Sequence, residues 1–216
     1  MSERDIAAIV RDGYDRIADE YLAAMLRPRS TDARNEWTGR LLGRLAPASS
    51  VLDIGCGPGV PTAAMFATAG HHVVGVDISP RQIELARTNV PAGSFVVADI
   101  TEFDAEPGSF DAVMALYSLT HIPRDNYPTL FGRFVEWLRP GGWILASMGR
   151  SDDSGWNEEN FLGLGHTNWT NGCDPDTSRR LLTEAGFDLE HADVVSEDTP
   201  FGPERWLWVL GRRRDV

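Results

Sequence analysis

Val51-Leu52-Asp53-Ile54-Gly55-Cys56-Gly57-Pro58-Gly59 is an apolar, strand-like run that breaks into three alternate glycines and then into a helical stretch carrying Ala63, Ala64, Met65 and Phe66. Glycine admits positive φ and has no side chain to hold a ligand off the main chain, so such a loop can bring a ligand close to backbone at a helix N-terminus. A tight turn without a ligand uses the same residues, so the loop alone is a weak signal. Its spacing carries more information. Dinucleotide sites favour Gly-x-Gly-x-x-Gly facing a pyrophosphate. Here Gly-x-Gly-x-Gly follows a carboxylate, Asp53, which disfavours an anion and favours a ligand bearing an ammonium or sulfonium charge. Asp77 ends the next apolar run about 20 residues on, where a carboxylate can accept hydrogen bonds from both ribose hydroxyls.

Outward from this loop, short aliphatic runs alternate with helical patterns, the mark of a parallel sheet covered on both faces. Strands are expected at 50–54, 72–77, 94–98, 110–116 and 143–148. Ser79 and Pro80 start the helix after Asp77, with Gln82 completing a capping box. Asp174-Pro175 starts another that ends at Gly186, followed by strands at 187–195 and 205–211. Before the loop, Ile6, Ile9, Val10, Ile17, Tyr21, Leu22 and Met25 recur at helical spacing up to Pro28, and a second helix carries Trp37, Leu41, Leu42 and Leu45. The expected fold is α/β: a Rossmann-like, doubly wound, mostly parallel seven-stranded sheet with an antiparallel last strand and an N-terminal helical cap. One domain is expected over 1–216, divided into the helical cap at 1–46, a ligand-binding core at 47–148, a substrate-cap insertion at 149–173 and a closing helix and strands at 174–216.

Composition narrows the chemistry. The chain has 216 residues and a formal net charge of −12, and its 20 basic residues are all arginine. Without lysine there is no Walker-type phosphate loop and no Schiff-base chemistry. The acidic excess repels a phosphate backbone, so no nucleic-acid partner is expected. The apolar runs fall well short of the roughly 20 residues that cross a bilayer, and the charged first residues do not read as a secretory signal. A cytoplasmic protein without a membrane partner is expected. Cys56 and Cys173 are too few for a zinc cluster or disulfide framework, and Asp152-Asp153 has no evident partner acids, so no metal is assigned.

These residues resemble the class I S-adenosylmethionine-dependent methyltransferases, in particular the small bacterial type 11 and type 25 kind, over about 14–148. Asp53-x-Gly55-x-Gly57-x-Gly59 is similar to the family's first motif and Val73 through Ser79 to its second. Val97-Ala98-Asp99-Ile100 resembles the third, where the family's acid lies beside the adenine amine and the next residue packs on the ring. Phe110 through Val113, running on to His121-Ile122-Pro123, resembles the fourth, and Leu138-Arg139-Pro140-Gly141-Gly142 the turn into the fifth strand. Tyr14-Asp15-x-x-Ala18-x-x-Tyr21 resembles a helix that closes over the cofactor. The resemblance implies S-adenosyl-L-methionine as cofactor, S-adenosyl-L-homocysteine as product, and a cofactor site of Tyr14, Tyr21, Asp53, Gly55, Cys56, Gly57, Gly59, Asp77, Ile78, Asp99, Ile100 and Leu116.

The acceptor is less legible. Displacement at a sulfonium needs alignment first, and a base only where a hydroxyl proton must leave near the transition state. His121, at the carboxyl edge of the fourth strand, is a candidate base or a pocket wall. His166, in the insertion, is a candidate base or substrate hydrogen bonder. Tyr117 is a candidate to orient the acceptor. Trp156, Phe161 and Trp169 suggest an aromatic substrate pocket, or equally the core of the insertion. The expected function is methyl transfer to a small-molecule O or N acceptor. A catalytically silent cofactor-binding protein is the alternative, and a nicotinamide oxidoreductase stands further off because the dinucleotide spacing is missing. Oligomeric state is not legible.

Overall fold

Consecutive strand residues face opposite sides of a sheet, and in β1 (Ser50–Ile54) this rule sends Leu52 and Ile54 one way and Val51 the other. Each side is a separate core. Leu52 and Ile54 pack with Val113, Phe131, Phe134 and Trp137, whereas Val51 packs with Trp37, Phe66, Ile83 and Met114. The structure is a computed structural model describing residues 1–27, 33–149 and 155–215. Pro28, Asp152 and Asp153 lie outside the described residues.

In chain order the elements are α1 (Glu3–Met25), α2 (Ala33–Leu42), β1, α3 (Thr62–Thr68), β2 (His72–Asp77), α4 (Pro80–Asn89), β3 (Ser94–Val97), β4 (Phe110–Ala115), α5 (Tyr127–Trp137), β5 (Leu138–Met148), β6 (Trp156–Glu158), β7 (Asn168–Thr170), α6 (Pro175–Ala185), β8 (Phe187–Thr199) and β9 (Gly202–Arg213). The main sheet has seven strands in the order β3-β2-β1-β4-β5-β9-β8. The pairs from β3 to β5 are parallel and β9 runs antiparallel to both its neighbours. This is the expected doubly wound fold with an antiparallel last strand. The order reverses between β1 and β4, so their carboxyl ends diverge and leave a crevice.

Several boundaries differ from the expectation for physical reasons. β5 begins at Leu138 because that residue pairs with Phe110 before a register shift at the glycines. β8 and β9 extend to Thr199 and from Gly202: their outer pairs, such as Glu197 with Glu204, keep the ladder where the apolar alternation has faded. The expected capping box at α4 is half made. The Gln82 N–H donates to Ser79 Oγ at 3.1 Å, but the Gln82 side chain is buried with neither amide atom hydrogen-bonded among the described residues. The Ser79 N–H is taken instead by Asp77 Oδ1, two residues back, at 2.9 Å. A complete box sits at Ser2 and Asp5, opening α1. The α6 start behaves as expected, with Asp174 Oδ1 accepting from the Asp176 and Thr177 N–H groups at 3.0 Å each.

β6 and β7 form a small antiparallel pair outside the main sheet. It is tied to the turn after β4 by Asn171, whose Nδ2 donates to the Thr120 and Ile122 carbonyls at 2.8 and 2.7 Å. α1 approaches it closely at Gly13, where a Cβ would lie 3.0 Å from the Thr167 carbonyl oxygen. Among the described residues no helix is long and apolar enough to cross a membrane.

Candidate functional site

The crevice at the β1/β4 reversal opens into a cavity of about 720 Å³, within the usual range for small-molecule sites. Its floor comes from the strand ends at Ile54, Val76 and Leu116, its far end from Asp99 and Ile100, and one wall from α1 through Ile6, Val10, Tyr14 and Tyr21. The three loop glycines all have positive φ but serve different ends. Gly55 lines the cavity, and a Cβ there would fall 2.3 Å from Ser118 Cβ, so only glycine lets the β1 and β4 ends meet. Gly57 also lines the cavity and would carry a Cβ with no contact under 3.7 Å, leaving φ as its requirement. Gly59 faces away: a Cβ there would lie 3.1 Å from Val90 and 3.4 Å from Ala86, so this glycine seats α4 against the loop.

Asp77 ends β2 with both oxygens fixed by backbone. Its Oδ2 accepts from the Gly57 N–H and its Oδ1 from the Ser79 N–H, each at 2.9 Å. Burial pushes its carboxyl up to about 6 against the pull of those N–H groups. Asp53 lies elsewhere than the sequence suggests. The period-2 rule puts it on the Val51 side, where it is buried beneath the loop and does not line the cavity, and burial lifts its carboxyl to about 7. The charge of Arg34 on α2 opposes that rise, and Asp53 Oδ2 has no hydrogen-bond partner among the described residues. Cys56 is also buried away from the cavity, near Gly75. Ile78, Asp99, Ile100 and Leu116 line the cavity, and Asp99 Oδ1 is held by the Thr101 N–H and Oγ1–H at 2.8 and 2.7 Å.

His121 lines the cavity with both ring nitrogens engaged. A carbonyl only accepts, so the 2.7 Å contact with the Trp169 oxygen puts the proton on Nδ1, and Nε2 accepts from the Tyr14 hydroxyl at 2.9 Å. Burial lowers this imidazole to about 4, so it is neutral at pH 7, while the same burial raises the Tyr14 phenol well above its ordinary value. Tyr117 follows β4 in a left-handed conformation, φ 59°, that bulky residues rarely adopt. The surroundings fix it there. Its N–H donates to Ser147 Oγ at 2.7 Å, its hydroxyl to both oxygens of Glu197 at 3.0 and 2.9 Å, and the Arg34 guanidinium lies 4.5 Å from its ring centroid.

None of the described residues of the insertion lines the cavity. Phe161 is buried behind the site, edge-on to Tyr14 and His121 at 5.6 and 5.4 Å, and Trp169 packs with Ile6 and Val10 under α1. Trp156 is exposed on β6. Phe161 and Trp169 therefore form a buried seat for α1, while Trp156 stands outside it. His166 is half-buried, and its carbonyl accepts from the Phe161 N–H at 2.9 Å. Sequence reasoning missed Ser118, whose Oγ–H donates to the Ile54 carbonyl at 2.8 Å beside Gly55. It also missed Arg34 and Glu197, which reach Tyr117 from distant parts of the chain. Among the described residues no group of three or more His, Cys, Asp or Glu could hold a metal ion.

Comparison with known proteins adds the following. A family model described as a methyltransferase domain matches residues 51–142. Methyltransferase GfsG of Streptomyces halstedii is 33% identical over 223 residues, covering 90% of this chain and 78% of its own length. Phosphoethanolamine N-methyltransferase 1 of Triticum aestivum is 32% identical over 172 residues, covering 78% of this chain and 32% of its own; the chain thus spans about a third of that relative. Among solved structures, the 1,6-didemethyltoxoflavin-N1-methyltransferase of Burkholderia thailandensis, with bound 1,6-didemethyltoxoflavin and S-adenosylhomocysteine, superposes with TM-score 0.72 at 23% identity. The superposition covers 100% of this chain and 92% of that one, a likeness of fold.

Proposed function

The chain belongs to the class I S-adenosylmethionine-dependent methyltransferases, and from that premise we propose that it methylates a nitrogen of a small-molecule acceptor. The cavity suits the cofactor. Its glycine loop is open at Gly57, Asp77 is oriented by two backbone N–H groups with lone pairs left for a diol, and Asp99 and Ile100 stand at the far end. When bound, S-adenosylmethionine supplies a methyl group on a sulfonium already activated for displacement. The protein's part is to align the partners and exclude water. In this reading Asp77 holds the ribose hydroxyls and Asp99 and Ile100 the adenine, while Leu116, Tyr117 and Ser118 wall the end where the acceptor lies. Tyr14 and Tyr21 cover it from α1.

The observation that carries the choice of nitrogen is the state of His121. The imidazole that lines this cavity is buried, lowered to about 4, and its free lone pair already accepts from Tyr14. A hydroxyl acceptor needs a base near the transition state, whereas a neutral amine attacks with its own lone pair and sheds its proton afterwards. Two of the similar proteins are named as N-methylating enzymes, which supports the same reading. Transfer of a labelled methyl group to a panel of amines, phenols and carboxylates tests it. Labelled amines, phosphoethanolamine among the panel, are expected; labelling of phenols alone would overturn the nitrogen assignment. Tight S-adenosylhomocysteine binding with no transfer to any class would favour a cofactor-holding protein instead.

A further inference from the structure

α1 forms a wall of the cavity, yet the buried cluster that holds its first half is small: Ile6 and Val10 against Trp169. Polar contacts therefore matter for its seating. Beside Tyr14, the half-buried Asp15 points at the start of α4, where its Oδ1 accepts from the Ser79 hydroxyl at 2.5 Å and from the Arg81 N–H at 3.1 Å. The first N–H groups of a helix lack partners within the helix, and a carboxylate there is stabilised by them and by the helix dipole. Ser79 is fully buried and serves two masters. Its hydroxyl accepts from the Gln82 N–H and donates to Asp15, while its own N–H donates to Asp77 Oδ1. One residue thus joins the acid on α1 to the acid assigned to the ribose. One turn further along α1, Asp19 meets the Arg81 guanidinium at 2.8 Å, an exposed pair of little consequence.

We infer that Asp15 is a positioning residue that seats α1 over the cofactor by capping α4 in trans, and that it acts on Asp77 through Ser79. Neither contact needs the charge itself; both need an acceptor oxygen at the Oδ1 position. Ligand in the cavity and α1 in its seat then stabilise each other, because the Ser79 that α1 grips also fixes one oxygen of Asp77. The ligand arm of the test rests on the cofactor reading given above; the exchange arm does not.

Asp15→Ala removes the oxygen and Asp15→Asn keeps one while removing the charge. Amide exchange over residues 6–21 without ligand, and S-adenosylhomocysteine titration by calorimetry, are measured on the wild type and both variants. Asp15→Ala is expected to speed exchange along α1 while leaving β1 and β4 protected, and to weaken S-adenosylhomocysteine by roughly tenfold, the scale of one lost hydrogen bond. Asp15→Asn is expected to restore both to within about threefold of wild type. Wild-type exchange along α1 in Asp15→Ala overturns the seating role whatever the titration gives. Faster exchange with unchanged affinity overturns the link to Asp77. Failure of Asp15→Asn to rescue overturns the claim that the oxygen, not the charge, is what matters. If the wild type itself binds no S-adenosylhomocysteine, the cofactor reading fails, and the exchange result still decides the clasp.

Discussion

Asp77→Asn separates ligand binding from folding at the residue on which the cofactor site turns. Both Asp77 oxygens accept backbone hydrogen bonds at 2.9 Å, Oδ1 from Ser79 and Oδ2 from Gly57. An amide offers one oxygen, so in either orientation one N–H faces a donor, at a cost of about 1–3 kcal/mol. Against that stands the relief of a buried charge. The native carboxyl is raised to about 6 from 3.8, so at pH 7 its ionisation opposes folding by roughly 3 kcal/mol. The two nearly offset, and the stability of the free protein should move by no more than about 1–2 kcal/mol. Binding has no such offset. Loss of charge-assisted hydrogen bonds to a diol should weaken S-adenosylhomocysteine by about 1.5–3 kcal/mol, or roughly 10- to 150-fold. Calorimetric titration and urea unfolding on the same samples give both numbers. The wild-type affinity should also fall as pH drops through about 6, since the ligand prefers the carboxylate, whereas the variant's should stay flat. Affinity within threefold of wild type would refute the ribose role, and a stability loss matching the binding loss would reduce Asp77 to a structural part.

Gly55→Ala should destabilise by about 2–4 kcal/mol in urea unfolding, because its Cβ meets Ser118 Cβ at 2.3 Å on top of positive φ; Gly57→Ala, with strain alone, should cost about 1 kcal/mol. Asp53→Asn should stabilise the protein at pH 8 by about 1–3 kcal/mol. The native carboxyl keeps its proton up to about 7 while the unfolded one releases it near 3.8, so stability falls as pH rises across that window, and the variant's advantage should vanish by pH 4. The rate profile of methyl transfer should carry no limb near pH 6.5 from His121, whose imidazole stays neutral down to about 4; a limb there that disappears in His121→Asn would contradict the burial argument.

The strands and the ligand loop were legible because both rest on local signals: apolar runs, the alternate glycines, and Asp77 followed by Ser79-Pro80; their order across the sheet, a matter of long-range pairing, was not. Facing was partly legible too. The alternation that marks β1 as a strand also places Asp53 on the Val51 side, under α2, so its distance from the cavity follows from the pattern once both faces are known to be covered. Residues that act across long separations left no such trace. Tyr117 meets Glu197 eighty positions away, through a hairpin arm whose outer half has lost its apolar alternation. Asp15 lies between Tyr14 and Tyr21 on α1, yet nothing local announces that it reaches a helix beyond the first two strands. The insertion aromatics stayed open for a related reason: an aromatic set reads the same whether it lines a pocket or fills a core, and only the packing of Phe161 and Trp169 against α1 separates the two.

A crystal structure of the chain grown with S-adenosylhomocysteine tests the whole account most directly. The ribose hydroxyls are expected within hydrogen-bond distance of Asp77, with adenine beside Asp99 and Ile100 and the sulfur facing Tyr117 beneath a seated α1. Nucleoside density anywhere else, or none in the crevice at saturating ligand, would contradict it.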